Sequence, residues 1–213
     1  MMLNRMYLRT VPLPEDLTNE DIFNALQNTQ AFFAMIRENA GINLSAIIQA
    51  NNFSGIVSNV FTKKLSDVSI YHSYHDQRYP DLMHASKSIG LEVKASNKPL
   101  KGGEGHNGHS GWHIVVCYHV LTNGDIEFIQ VEIANLIGYE CDNPDWKYQG
   151  SQRNNNNSQR TETYITTPIG TAKLRDGTVY LNPEYVKITP ALLSHRKKIV
   201  GTLPIPPFSP FAE

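Results

Sequence analysis

Three residues between Tyr79 and Ser96 have the types and spacing needed for phosphodiester chemistry: Asp81, Glu92 and Lys94. The run from Ile89 to Ala95 is apolar but interrupted by Glu92 and Lys94 two positions apart. As a strand it sets both charges on one face and Val93 on the other, toward a core. Asp81 follows Pro80, whose ring fixes the local backbone. The interval to Glu92 is long enough for one strand to turn and a second to return beside it. Two carboxylates are hard oxygen ligands of the kind Mg²⁺ accepts while keeping several waters. An ion held there places positive charge where a pentacoordinate phosphoryl transition state accumulates negative charge. Lys94 is placed to orient or deprotonate the attacking water. Its pKa is either depressed by burial and the metal or sustained by the carboxylates, and both remain open at this stage.

Pro80-Asp81 followed by Glu92-Val93-Lys94 inside an apolar strand resembles the core motif of the PD-(D/E)XK nucleases, and at this chain length the type II restriction endonucleases. The resemblance covers roughly residues 59–134. It implies that Asp81 and Glu92 bind a divalent metal, Mg²⁺, together with the backbone carbonyl of Val93, and that Lys94 assists the nucleophilic water. It further implies a restriction-endonuclease-like fold, a double-stranded DNA substrate and a homodimer matched to a short palindrome. Many members carry one more acid on an upstream helix. The aligned segment here, Phe53 to Leu65, offers Ser58 and Asn59 instead, which leaves Glu38 as a substitute. Glu-x-Lys is also common on solvated surfaces. A structure-selective repair or recombination nuclease, or a non-catalytic nucleic-acid or metal-binding module, therefore stays open beside the restriction enzyme.

The elements that must hold this trio follow from periodicity. Asp16 or Thr18 can cap a helix from about Asn19 to Asn39, with Ile22, Phe23, Leu26, Phe32, Phe33 and Ile36 toward the core and Gly41 ending it. Leu44 to Ala50 and Phe53 to Leu65 read as further helices. Trp112 to Leu121 and Ile126 to Ala134 read as a hairpin around Thr122-Asn-Gly-Asp125. Glu127, Gln130 and Glu132 then read as cross-strand surface partners. Thr163 to Ala172 and Thr178 to Tyr185 read as a second hairpin turning at Arg175-Asp-Gly177, which would put Lys173 and Arg175 at a tip able to reach DNA. The expected fold is α/β, one domain over residues 1–213 with a central mixed sheet flanked by helices. Within it a helical part spans about 15–66, a catalytic sheet about 67–135, recognition loops and the hairpin about 136–200, and a proline-rich tail 203–213 that wraps the domain or meets a second subunit.

Candidate DNA contacts lie on loops. The stretch from Asn97 to Gly111 combines glycines with Lys98, Lys101, His106 and His109, supplying backbone amides and cations beside the proposed metal centre. His106, His109 and His113 could also suggest a zinc site, but the intervening glycines oppose a helix and no fourth ligand is evident, so phosphate contact or plain loop polarity is preferred. Between Ile137 and Tyr164, Arg153 and Arg160 flank an asparagine run. Arginine bonds guanine edges and asparagine or glutamine adenine edges, so these flanks are candidates for major-groove reading.

The net charge of −1 argues against indiscriminate coating of nucleic acid, since non-specific affinity comes mostly from phosphate neutralisation. It leaves room for basic residues gathered on one face: Lys94, Lys98 and Lys101; Arg153 and Arg160; Lys173 and Arg175; Arg196 to Lys198. The two cysteines, Cys117 and Cys141, lack metal-ligand spacing and are expected to be reduced. No apolar run reaches the length of a membrane span and no signal-peptide pattern opens the chain. The expectation is a soluble cytoplasmic protein, bacterial or archaeal if the resemblance holds.

Overall fold

The computed structural model describes residues 3–74, 79–101, 104–105, 108–150 and 163–212. The first long helix, α1, spans Asn19–Ala40. Thr18 caps it: its hydroxyl accepts from the Asp21 amide while the Asp21 side chain accepts from the Thr18 amide. It ends where Gly41 takes φ 65°, a left-handed conformation that glycine adopts without steric cost. A single turn, α2 (Leu44–Ile47), and a second long helix, α3 (Ala50–Val68), follow. Phe53, Val57, Phe61 and Leu65 recur at the helical spacing that builds one buried stripe, and all four are buried.

Six strands form the main sheet: β1 (Tyr71–Ser73), β2 (Leu82–His84), β3 (Gly90–Ser96), β5 (Gly111–Val120), β6 (Ile126–Leu136) and β9 (Thr178–Leu181), in the order β1-β2-β3-β5-β6-β9. Only β3 and β5 run parallel; the other pairs are antiparallel, so the sheet is mixed. A small second sheet joins β4 (Glu104–Gly105), β8 (Tyr164–Thr166) and β7 (Trp146–Tyr148). One face of the main sheet, with Leu91, Val93, Ile114, Val116, Val131 and Ile133, packs on α1 and α3 as the main core. The other face buries Val115, Ala134 and Leu136 against Trp146, Tyr164 and Leu174.

Three expectations are corrected here. Residues 163–172 are not one strand: β8 is three residues long, and Pro168–Asp176 form a helix, α4. The β-branched run from Ile165 to Thr171 favours a strand locally. It is overridden by Thr167, which accepts from the Gly170 amide as N-cap, and by Pro168 at the first helical position. There is therefore no hairpin at Arg175 to Gly177. The stretch from Ile137 to Tyr164, which reads as polar and irregular in sequence, contains β7, while residues 151–162 lie outside the described residues.

Gly177 sets α4 against β6. The Ile133 amide donates to the Gly177 carbonyl (2.9 Å), and a Cβ on Gly177 would stand 1.8 Å from the Ile133 carbonyl oxygen. Backbone cannot yield as a flexible side chain can, so Gly177→Ala is expected to destabilise the fold by about 1–3 kcal/mol, the usual cost of overpacking. Urea unfolding measures it; a change within error would mean that α4 can lift off β6 without loss.

The chain end wraps the domain, as expected. In α5 (Pro190–Lys197), Arg196 is buried and donates to Asp176 and to the Leu203 and Pro204 carbonyls, while Ser209 and Phe211 are buried beyond them. Among the described residues no helix is long and apolar enough to cross a membrane.

Candidate active site: a carboxylate pair on the β2–β3 hairpin

Asp81 ends the approach to β2, directly after a cis Tyr79–Pro80 bond, and Glu92, Val93 and Lys94 sit in the middle of β3. Antiparallel pairing of Leu82 with Leu91 brings Asp81 back alongside β3. Its Oδ2 accepts from the Val93 amide at 2.8 Å, so the carboxylate takes the place of the next residue in the ladder. A Cβ at Gly90 would lie 2.3 Å from Pro80 Cγ, so only glycine lets the proline ring pack on the turn.

The strand alternation holds. Val93 is buried in the helix-side core, while Glu92 and Lys94 share the opposite face. Glu92 is 6 % exposed; its Oε1 accepts from Lys94 Nζ at 2.5 Å, and its Oε2 is buried without a hydrogen-bond partner. Burial, and then the facing Glu92 carboxylate, push the Asp81 carboxyl up to about 6. Two carboxylates crowded together at low solvent exposure form a set whose unfavourable charge is relieved by a proton shared between them or by a cation. The residues therefore fit a hard divalent ion, which Asp81 Oδ, Glu92 Oε2 and the Val93 carbonyl would hold.

In a strand, the amide and carbonyl of one residue point to the same edge, so the Val93 carbonyl lies on the Asp81 side. It accepts from Ser58 Oγ of α3 at 3.2 Å. Ser58 thus occupies the helix position where the resemblance implies an acid. Glu38 does not substitute for it. Glu38 pairs with Arg37, which also holds Asp125 in the β5–β6 turn. That turn follows Val120, seven residues along β5 from His113 beside the site, roughly 23 Å at strand rise. Among the described residues no group of three or more His, Cys, Asp or Glu side chains could hold a metal.

Two neighbours complete the site. Tyr79 donates its hydroxyl to the Ser110 carbonyl at 2.7 Å, and burial, with the Glu92 and Asp81 charges, pushes it up to about 12. It stays a neutral phenol. His113 of β5 is the register partner of Glu92. It is buried, its Nδ1 lies 2.9 Å from the Gly111 carbonyl oxygen, and burial pushes the ring's pKa down to about 4. From the sequence, Tyr79 carries no assigned role, and His113 reads as the start of the strand from Trp112 with no role beyond a weighed zinc site. The position of Tyr79 two residues before Asp81 was a usable signal; the parallel pairing that sets His113 beside Glu92 had none.

The expected DNA contacts divide three ways. Lys98, Lys101 and His109 are exposed on the segment after β3, with His109 tilted over Tyr79 at 4.6 Å between ring centroids. His106, Arg153 and Arg160 lie outside the described residues. Lys173 and Arg175 are corrected: both belong to α4 and neither is at a tip. Lys173 Nζ donates to buried Asp145 at 2.6 Å, and Arg175 Nε to the Leu100 carbonyl at 2.6 Å. Of the Arg196 to Lys198 cluster, Arg196 faces inward. The histidines do not gather as a zinc site: His113 is buried and His109 exposed, with His106 not described. Glu127, Gln130 and Glu132 are buried, against the expectation of a surface ladder. Gln130 accepts from the Leu100 amide at 2.8 Å and donates to Glu132 at 3.0 Å, which fixes the segment leaving β3. Burial pushes the Glu132 carboxyl up to about 7. Cys117 is free and buried, Cys141 free and exposed.

In comparisons with protein-family models, curated proteins and solved structures, nothing matches the chain.

Proposed function

We propose that the protein is a Mg²⁺-dependent endonuclease hydrolysing phosphodiester bonds of double-stranded DNA, a type II restriction enzyme of the PD-(D/E)XK kind. The observation that carries this reading is the orphaned, buried Glu92 Oε2 facing an Asp81 carboxyl whose pKa is raised to about 6, with Lys94 on the same face. The mixed sheet flanked by helices, with both acids on one hairpin, supports a restriction-endonuclease-like fold.

Bound Mg²⁺ would supply positive charge to a phosphate oxygen. Asp81 and Glu92 are the residues that would hold it, with the Val93 carbonyl once Ser58 turns away. Lys94, freed from Glu92, positions the water that attacks phosphorus. The new P–O bond forms as the bridging P–O bond breaks; the water's proton leaves to solvent and the departing oxygen takes one to become a hydroxyl. Tyr79 and His113 wall the site and limit entry of further water. Lys98, Lys101 and His109 stand exposed beside it as phosphate contacts. The homodimer, the palindromic target and a cytoplasmic place within a restriction–modification pair belong to the same proposal.

The test is incubation of the purified protein with long unmethylated duplex DNA, with Mg²⁺ or with EDTA. Discrete fragments are expected with Mg²⁺ only, and Lys94→Ala is expected to slow their release by about 10²–10³-fold, as loss of a group acting on the nucleophile does. Cleavage confined to branched or flapped DNA would point to structure selection; no cleavage of any DNA by folded protein would overturn the reading.

A further inference from the structure

We propose that His113 is a positioning residue of this site, accepting at Nε2 a hydrogen bond from a water held over the Asp81–Glu92 pair. The inference rests on the reading of that pair as a cation and water site.

Parallel pairing of β3 with β5 sets His113 against Glu92, and residues opposite one another in a ladder project to the same face. The imidazole therefore stands on the face that carries Glu92 and Lys94. It is 4 % exposed and packs against Trp146, with ring centroids 5.1 Å apart. Trp146 is itself fixed by donating its indole N–H to the His109 carbonyl at 3.1 Å. His113 Nδ1 lies 2.9 Å from the Gly111 carbonyl oxygen. A carbonyl only accepts, so Nδ1 carries the proton and the lone pair of the neutral ring belongs to Nε2. No hydrogen bond to Nε2 is made among the described residues.

This is the arrangement by which proteins aim an imidazole lone pair at a metal or at its water: one ring N–H tied to a backbone carbonyl, the other nitrogen free to accept. An accept-only nitrogen has nothing to give a phosphate oxygen, whereas the neighbouring Lys94 ammonium only donates. A water that accepts from Lys94 Nζ and donates to His113 Nε2 keeps its second lone pair free. That lone pair is the one a nucleophile needs.

The full chain with ¹⁵N-labelled imidazoles tests this, beside His113→Phe, which keeps a buried ring and loses the acceptor, and His113→Gln, which keeps an acceptor oxygen. The wild type is expected to show the Nδ1–H tautomer at pH 7. Addition of Mg²⁺ shifts its Nε2 resonance, and the shift is absent in Glu92→Gln. In DNA cleavage His113→Phe lowers kcat by about 10²-fold with KM unchanged, and His113→Gln recovers at least about tenfold of that loss. Thermal melts show that both variants are folded. An Nε2–H tautomer, an Nε2 signal indifferent to Mg²⁺, or equal kcat in the two variants overturns the inference. Protein that shows the Mg²⁺-dependent shift and cuts no DNA keeps the role of His113 and loses the nuclease reading. Protein that cuts with Lys94 dependence but shows no shift does the reverse.

Discussion

On the proposed nuclease reading, Asp81→Asn is expected to remove DNA cleavage, by at least about 10³-fold, and independently of that reading to make the metal-free protein more stable at pH 7–8. The first effect follows from losing one of two carboxylates that would hold the cation, a contribution of several kcal/mol to the barrier. The second follows from burial. Burial and then the Glu92 carboxylate push the Asp81 carboxyl up to about 6. Unfolded, it titrates near 3.9. The folded state therefore binds this proton more tightly, so its contribution to stability is present below about pH 4 and is lost as pH rises through 6. At pH 7 the wild type without metal carries up to about 3 kcal/mol of strain from this group. Asparagine keeps an oxygen for the Val93 amide and carries no charge.

The measurement is the difference in unfolding free energy between wild type and Asp81→Asn across pH 4 to 8, which cancels other titrating groups such as Glu132. The difference should favour the variant and grow between pH 4 and 7. Mg²⁺ should close the gap above pH 6 by stabilising the wild type alone. A flat difference, or a less stable variant at pH 8, would mean that Asp81 is an ordinary structural carboxylate and not a site held ready for a cation.

Arg196→Met should give the largest loss of stability, about 3–5 kcal/mol, because it strips a buried anion of its partner. The guanidinium donates to Asp176 through Nε (3.1 Å) and Nη2 (2.7 Å), and to the Leu203 and Pro204 carbonyls at 2.8 and 2.9 Å. Ser209 adds a bond to Asp176 at 2.7 Å. Removing the arginine leaves the buried Asp176 carboxylate with the Ser209 hydroxyl as its remaining side-chain donor, strips the Leu203 and Pro204 carbonyls of theirs, and releases the tail from α4. For a chain of this size the melting temperature should fall by about 10 °C. Proteases should then cut near Leu203 faster than in the wild type. The double variant Arg196→Met/Asp176→Leu should recover much of the loss, since an apolar pair of similar volume avoids the desolvation cost. A single variant that melts within 2–3 °C of wild type, roughly 1 kcal/mol, would assign the tail to apolar packing through Phe208 and Phe211 instead.

Local chemistry alone determined a good deal of this molecule. Thr18 with Asp21, and Gly41, set both ends of α1, because capping and a left-handed glycine act within four residues. The Asn123-Gly124 turn made the β5–β6 hairpin legible, and the alternation around Glu92 placed the two charges of β3 on one face. Asp81 was legible as a candidate because Pro80 and the returning strand leave it little freedom. What tertiary structure decided involves partners far apart in the chain. Whether a lysine or arginine faces solvent depends on what packs above it, and so Lys173, Arg175 and Arg196 turned inward to Asp145, Leu100 and Asp176. The β-branched run before Leu174 became a helix because its Thr-Pro start and its seat on β6 outweighed local strand preference. His113 gained its place beside Glu92 only through a parallel pairing across 21 residues, and a parallel register has no short turn to announce it.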